Sequence, residues 1–75
     1  MAEQNDELKA LGKAIQILRA ERGLTSEALA KKCGLSSTRL EQFERGETEA
    51  AILEVAHLAK ALGVTTQMLC ERAGL

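Results

Sequence analysis

The chain contains no proline, no tryptophan and no tyrosine, and its only aromatic residue is Phe43. A core so poor in rings must be assembled from Leu, Ile, Val and Ala, which suits closely packed helices. Runs of β-branched residues of the kind that build strands are absent as well, so the expected class is all-α. Cysteine is scarce. Cys33 and Cys70 are too few and too far apart for a disulfide framework or a zinc site, which points to a reduced, cytoplasmic setting. No apolar stretch is long enough to cross a bilayer, and the polar, acidic opening MAEQNDE is unlike a secretory signal. The sequence offers no paired acid and base, no metal-ligand cluster and no phosphate-cradling loop. That argues against catalysis and against a metal, a cofactor or a small-molecule ligand. At 75 residues the chain is expected to form one domain over residues 1–75, with a polar tail over 1–6 and a small core.

Net charge is low too, at −1, which on its face offers little to an anionic partner. The distribution is uneven, however. Residues 8–46 carry eight basic groups (Lys9, Lys13, Arg19, Arg22, Lys31, Lys32, Arg39, Arg45) against four acids, whereas the remainder carries only Lys60 and Arg72 against seven acids. Such asymmetry gives one half of a nearly neutral protein a positive field that can orient it on a polyanion. Ordinary solvated charge is the alternative.

Five of the six glycines, Gly23, Gly34, Gly46, Gly63 and Gly74, fall where a helix should stop, and Gly12 lies inside the first helix. Three helices open alike. Leu24-Thr25 with Leu29, Leu35-Ser36 with Leu40, and Val64-Thr65 with Leu69 each set an apolar residue before a hydroxyl cap and another at the fourth helical position. This staple fixes the angle at which the chain enters a helix. The pattern predicts a compact bundle of five helices. The first runs from about Asp6 to Arg22, with Leu8, Leu11, Ile15 and Leu18 on one face. The second spans Ser26–Cys33 and the third Ser37–Arg45. The fourth carries Ile52, Val55, Ala59 and Leu62, and the fifth spans Thr66–Ala73.

The stretch from Leu24 to Gly46, LTSEALAKKCGLSSTRLEQFERG, carries the strongest signal. It reads as two short helices and a tight turn, the arrangement that lets a second helix lie in the DNA major groove. Ala30 supplies a small side chain where the helices cross, and Gly34 supplies a residue tolerant of positive φ. Leu40 and Phe43 must point inward, which leaves Ser37, Thr38, Arg39, Glu41 and Gln42 on or near the outer face. Together with LGKAIQILRAERGLT, the ALAKKCGLS turn, the FERG close and HLAKALGV, this segment resembles the helix-turn-helix domain of lambdoid phage repressors and Cro proteins, including the XRE-type bacterial regulators. The resemblance runs from about Leu11 to Leu69.

The resemblance implies a lambda-repressor-like DNA-binding domain that acts as a sequence-specific transcriptional regulator, as a homodimer on a palindromic operator in double-stranded DNA. Carried onto this sequence, the base-reading positions are Ser37, Thr38, Arg39 and Gln42. Their chemistry suits base recognition, since Arg pairs with guanine, Gln with adenine, and hydroxyls serve either base or phosphate. The backbone contacts are expected from Thr25 and Ser26 at the second helix N-terminus, a natural anion site, with Lys13, Arg22 and Arg45. Phage repressors, restriction–modification controllers and antitoxin-type regulators all fit this size, and the nucleoid is the expected location.

Three departures stand out. The position after the first cap is commonly glutamine, and here it is Ser26. The loop after the third helix is commonly basic, and here it reads Glu47-Thr48-Glu49, so the carboxylates are expected to repel phosphate. The usual Pro-Ser before the fourth helix is Ala50-Ala51, which would let that helix start about a turn early from Thr48. These features keep open a second reading, a protein-interaction module of the same fold with weak DNA binding. His57 is expected at the surface and Cys33 among the small core residues. Met68, Cys70 and Leu75 are apolar residues that the core does not need, and they are expected either to form a dimer contact or to belong to a frayed tail.

Overall fold

The computed structural model describes the backbone of residues 2–48 and 52–75 and the side chains of residues 6–48 and 53–75. Its elements are α1 (Ala2–Glu21), α2 (Ser26–Cys33), α3 (Ser37–Arg45), α4 (Ile52–Leu62) and α5 (Thr66–Arg72), with no strand among the described residues. Every helix sends leucine or isoleucine to a common centre. Ile15 and Leu18 of α1, Leu29 of α2, Leu40 of α3, Leu58 and Leu62 of α4 and Leu69 of α5 are fully buried. Burying each such side chain contributes about 1.5–3 kcal/mol. Phe43, Ala14, Ala30 and Ala59 fill the spaces between them.

The bounds of α2 and α3 are those the sequence predicts, and the cause is local. Thr25 Oγ1 accepts from Ala28 N at 3.0 Å and Ser36 Oγ accepts from Arg39 N at 3.1 Å, so both hydroxyls cap as expected. Thr65 does the same for α5, accepting from Met68 N at 3.0 Å.

Elsewhere the bounds differ. α1 reaches back to Ala2, so the expected tail over 1–6 is largely helical. The added residues Ala2-Glu3-Gln4-Asn5 carry no leucine, isoleucine or valine and so no apolar periodicity to detect, while an acid such as Glu3 suits a helix N-terminus. α5 ends at Arg72. α4 is described from Ile52, and the expected earlier start falls on residues 49–51, outside the described residues. Within α4, Leu58 enters the core unanticipated, whereas Leu53 is 71% exposed.

α1 lies along α3, and Gly12 permits the approach. A Cβ there would meet the carbonyl oxygen of Phe43 and lie 2.6 Å from that of Glu44. Gly46, which closes α3 at φ 72°, packs against the backbone of Lys9 in the same way. The C-terminal end of α3 is thus seated closely on α1, while α2 packs against α3 and α4.

Candidate nucleic-acid interface

The turn that presents α3 is built from one residue with positive φ. Gly34 adopts φ 72°. Leu35 N then reaches back to Ala30 O at 2.9 Å and Gly34 N to Lys31 O at 3.3 Å, so two of the last carbonyls of α2 are satisfied as the chain reverses. Only Leu35 and Ser36 separate this glycine from α3. Ala30 is 2% exposed and belongs to the core.

The face that α3 turns outward follows from the face it buries. Leu40, Phe43 and Glu44 are buried, Thr38, Glu41 and Arg45 are exposed, and Ser37, Arg39 and Gln42 are half-buried. Thr38 and Gln42 are one turn apart and share a face. Thr25 is exposed and Ser26 half-buried at the start of α2, where the first N–H groups lack helical partners. Lys13 is exposed on α1.

Each of the five arginines has a partner within the chain. Arg19 Nε lies 2.8 Å from Glu44 Oε2. Arg22 Nε donates to Leu62 O at 2.8 Å, closing the end of α4. Arg39 faces Glu54 through two bonds, Nε to Oε2 at 3.3 Å and Nη2 to Oε1 at 3.1 Å, with Nη1 to Thr48 Oγ1 at 3.2 Å. Its guanidinium also stands 4.7 Å from the Phe43 ring centroid. Arg45 pairs with Glu47 at 3.3 Å and Arg72 with Glu21 at 2.8 Å. The lysines form no ion pair among the described residues, so Lys9, Lys13, Lys31, Lys32 and Lys60 supply the uncommitted positive charge.

Sequence reasoning missed the pairings of Arg19, Arg22, Arg39 and Arg72 because their members lie far apart in the chain. The one available signal was Glu44, four residues after inward-facing Leu40 and next to Phe43, an acid on a face otherwise given to the core. Glu47 neutralises its neighbour Arg45, and Glu49 lies outside the described residues.

The remaining candidates sit away from α3. Cys33 is half-buried, its Sγ 3.7 Å from His57 O, and burial raises its thiol pKa above the ordinary value. His57 is exposed, as expected, and with Lys32 and Lys60 borders a shallow cleft beside Cys33. Met68 is 48% and Leu75 56% exposed, while Cys70 is half-buried. Met68 edges a second cleft between α1 and α5, lined also by Leu18, Glu21, Val64 and Arg72. No described group of His, Cys, Asp or Glu is arranged to hold a metal ion, and no described helix is long and apolar enough to cross a membrane.

The family model named HTH_3, Helix-turn-helix, matches residues 15–69, which include the whole of this turn and the core helices around it. The chain belongs to the HTH_3 family. It is 37% identical over 60 residues to y4dJ, an HTH-type transcriptional regulator of Sinorhizobium fredii, covering 80% of this chain and 78% of that protein. The clp gene regulator ClgR from Corynebacterium glutamicum superposes with a TM-score of 0.88 at 31% identity, over 91% of this chain and 72% of ClgR. The restriction–modification controller protein C.AhdI from Aeromonas hydrophila superposes at 0.81 and 31% identity, over 83% of this chain and 94% of the controller. This HTH_3 chain is a DNA-binding transcriptional regulator and not an enzyme.

Proposed function

We propose that this regulator reads its operator by laying α3 in the major groove, with Ser37, Thr38 and Gln42 toward the base edges. The start of α2 at Thr25 and Ser26 would meet a phosphate, and Lys13 and Arg45 would flank it. The observation that carries this reading is the pair of capped helices joined through Gly34, which leaves Thr38 and Gln42 on one outward face of α3. The uncommitted lysines supply the general attraction to the phosphate backbone, and the α3 face supplies discrimination. Two copies would act together on a palindrome, joined through Met68, Cys70 and Leu75, with the nucleoid as their place of action.

Selection of bound sites from a random duplex pool, followed by titration of the selected duplex at several salt concentrations, tests this reading. A palindromic selected site with a negative salt slope is expected. An unenriched pool and no salt-dependent binding would support the interaction-module reading instead. That alternative is favoured by one observation, the matching of every arginine to an acceptor within the chain.

A further inference from the structure

We propose that Arg39 and Glu54 form a neutral clamp that ties the recognition helix to α4 and withholds Arg39 from DNA. Arg39 is then a positioning residue and Glu54 sets both affinity and selectivity. The inference rests on the DNA-reading role of α3 and goes beyond it, because it removes the one strongly cationic side chain from the reading set and assigns a role on α4 that sequence reasoning did not see.

The geometry occupies the guanidinium from three directions. The edge formed by Nε and Nη2 faces both carboxylate oxygens of Glu54 at 3.3 and 3.1 Å. Nη1 donates to Thr48 Oγ1 at 3.2 Å, and the plane stands 4.7 Å from the Phe43 centroid. Arginine has five N–H donors in a rigid fork, and its usual guanine contact needs a two-nitrogen edge. Here all three nitrogens are engaged within the chain. Phe43 lies one turn after Arg39 and Thr48 lies beyond the end of α3, so the side chain runs toward the C-terminal end of the helix. The residues proposed to meet bases begin at its N-terminal end, with Ser37 and Thr38. The pair is only partly exposed, with side-chain accessibilities of 38% and 22%, so solvent and salt weaken it less than a surface pair.

The consequence is electrostatic. A free arginine beside the groove attracts any duplex, whatever its sequence. Paired with Glu54 it contributes no net charge, and binding depends more on the fit of Ser37, Thr38 and Gln42 to the bases. The clamp thus lowers affinity for all DNA and raises the ratio between the right site and the wrong one.

Three proteins test this, the parent, Glu54→Gln and the double variant Arg39→Ala with Glu54→Gln, each titrated by fluorescence anisotropy against the selected duplex and an unrelated one across a salt series. Glu54→Gln frees the cation. It should tighten binding to the unrelated duplex by about tenfold, steepen the log–log salt slope by roughly 0.9 for one added phosphate contact, and narrow the selectivity ratio. The double variant has the parent's net charge and should keep the parent's base preference and salt slope. A double variant that binds the selected duplex roughly tenfold or more weaker and relaxes preference at one position would show Arg39 reading a base, and would overturn the clamp while leaving the function of α3 intact. A Glu54→Gln protein with the parent's affinity and slope would also overturn it. Absence of salt-dependent binding in the parent itself would remove both the DNA reading and the clamp built on it. Circular dichroism melts of all three identify any loss of fold, and Glu54→Gln, which removes the counter-charge with little change of side-chain size, carries the test if the double variant unfolds.

Discussion

Arg19 and Glu44 join α1 to the buried face of α3, with Nε 2.8 Å from Oε2 and Nη2 3.4 Å from Oε1, while Arg19 Nη1 donates to Leu24 O at 3.1 Å. One side chain thereby fixes three things: the seat of α3, the end of α1 and the start of the loop into α2. Glu44 is 7% exposed, so little water reaches its carboxylate and Arg19 is its main polar partner. Glu44→Ala should lower stability by about 3 kcal/mol, because it leaves a partly buried guanidinium without its counter-charge. Urea denaturation checks this, and a loss within the range of a surface substitution would mean that water replaces the carboxylate.

Gly12 and Gly34 should fail differently on substitution. At Gly34 a Cβ meets nothing within 4 Å, so the penalty of Gly34→Ala is the strain of φ 72° alone, about 1–2 kcal/mol. At Gly12 the backbone is helical and alanine would be the better helix former, yet the new methyl would fall against the carbonyls of Phe43 and Glu44. Gly12→Ala should therefore cost more than Gly34→Ala, about 3 kcal/mol or more, by forcing α1 off α3. Thermal melts of the two variants rank the effects, and the reverse order would mean that α1 and α3 separate freely.

These two glycines also mark what could be read from the sequence. Gly34 was legible because a turn imposes a local rule, and the same holds for the caps at Thr25, Ser36 and Thr65 and for the bounds of α2 and α3. Gly12 was visible only as an exception, since the reason for it lies in carbonyls about thirty residues further along the chain. The candidate site divides likewise. The outward set on α3 follows from the inward positions of Leu40 and Phe43, so Thr38 and Gln42 could be placed. The partners of Arg22, Arg39 and Arg19 at Leu62, Glu54 and Glu44 could not, because no local spacing encodes a bond between distant helices.

Gln42 is the sharpest test of the reading face. A glutamine amide can bond adenine through two hydrogen bonds, and alanine removes both. Gln42→Ala should weaken binding to the selected duplex by about 1–3 kcal/mol and relax preference at one position per half-site, with the salt slope unchanged because no charge is lost. Unchanged preference in repeated site selection would take Gln42 out of the reading set.

Cys33 gives the fold a dependence on alkaline pH. Burial raises its thiol pKa above the ordinary value. In the unfolded chain the thiol loses its proton at that ordinary value, near pH 8.5, while the native state holds the proton to higher pH. Above that point the native state binds more protons than the unfolded one, so this group's contribution to stability is full below the unfolded pKa and falls as pH rises toward the folded pKa. The stability of the parent relative to Cys33→Ala should decline between about pH 8 and pH 10 in urea titrations. A difference that stays constant over this range would show that the thiolate is tolerated where the thiol now sits.

Met68 bears on assembly. A single small domain covers little DNA, and tight selective binding is commonly reached by two copies whose recognition helices enter successive major-groove faces about 34 Å apart. The chain has extents of 32 × 24 × 21 Å, so two copies in contact are large enough to span this separation. A two-fold pair uses the same patch on both chains. Met68, 48% exposed, edges the cleft between α1 and α5, and Leu75, 56% exposed, lies at the end of the segment that α5 begins. The ion pair of Arg72 with Glu21 links the same two helices at 2.8 Å. Sedimentation equilibrium at tens of micromolar should show a dimer. Met68→Glu sets two like charges near the two-fold axis and should shift the protein to monomer, weakening binding to a full palindrome far more than to a half-site. A monomer in both proteins, with equal affinity for palindrome and half-site, would rule this face out as the contact between copies.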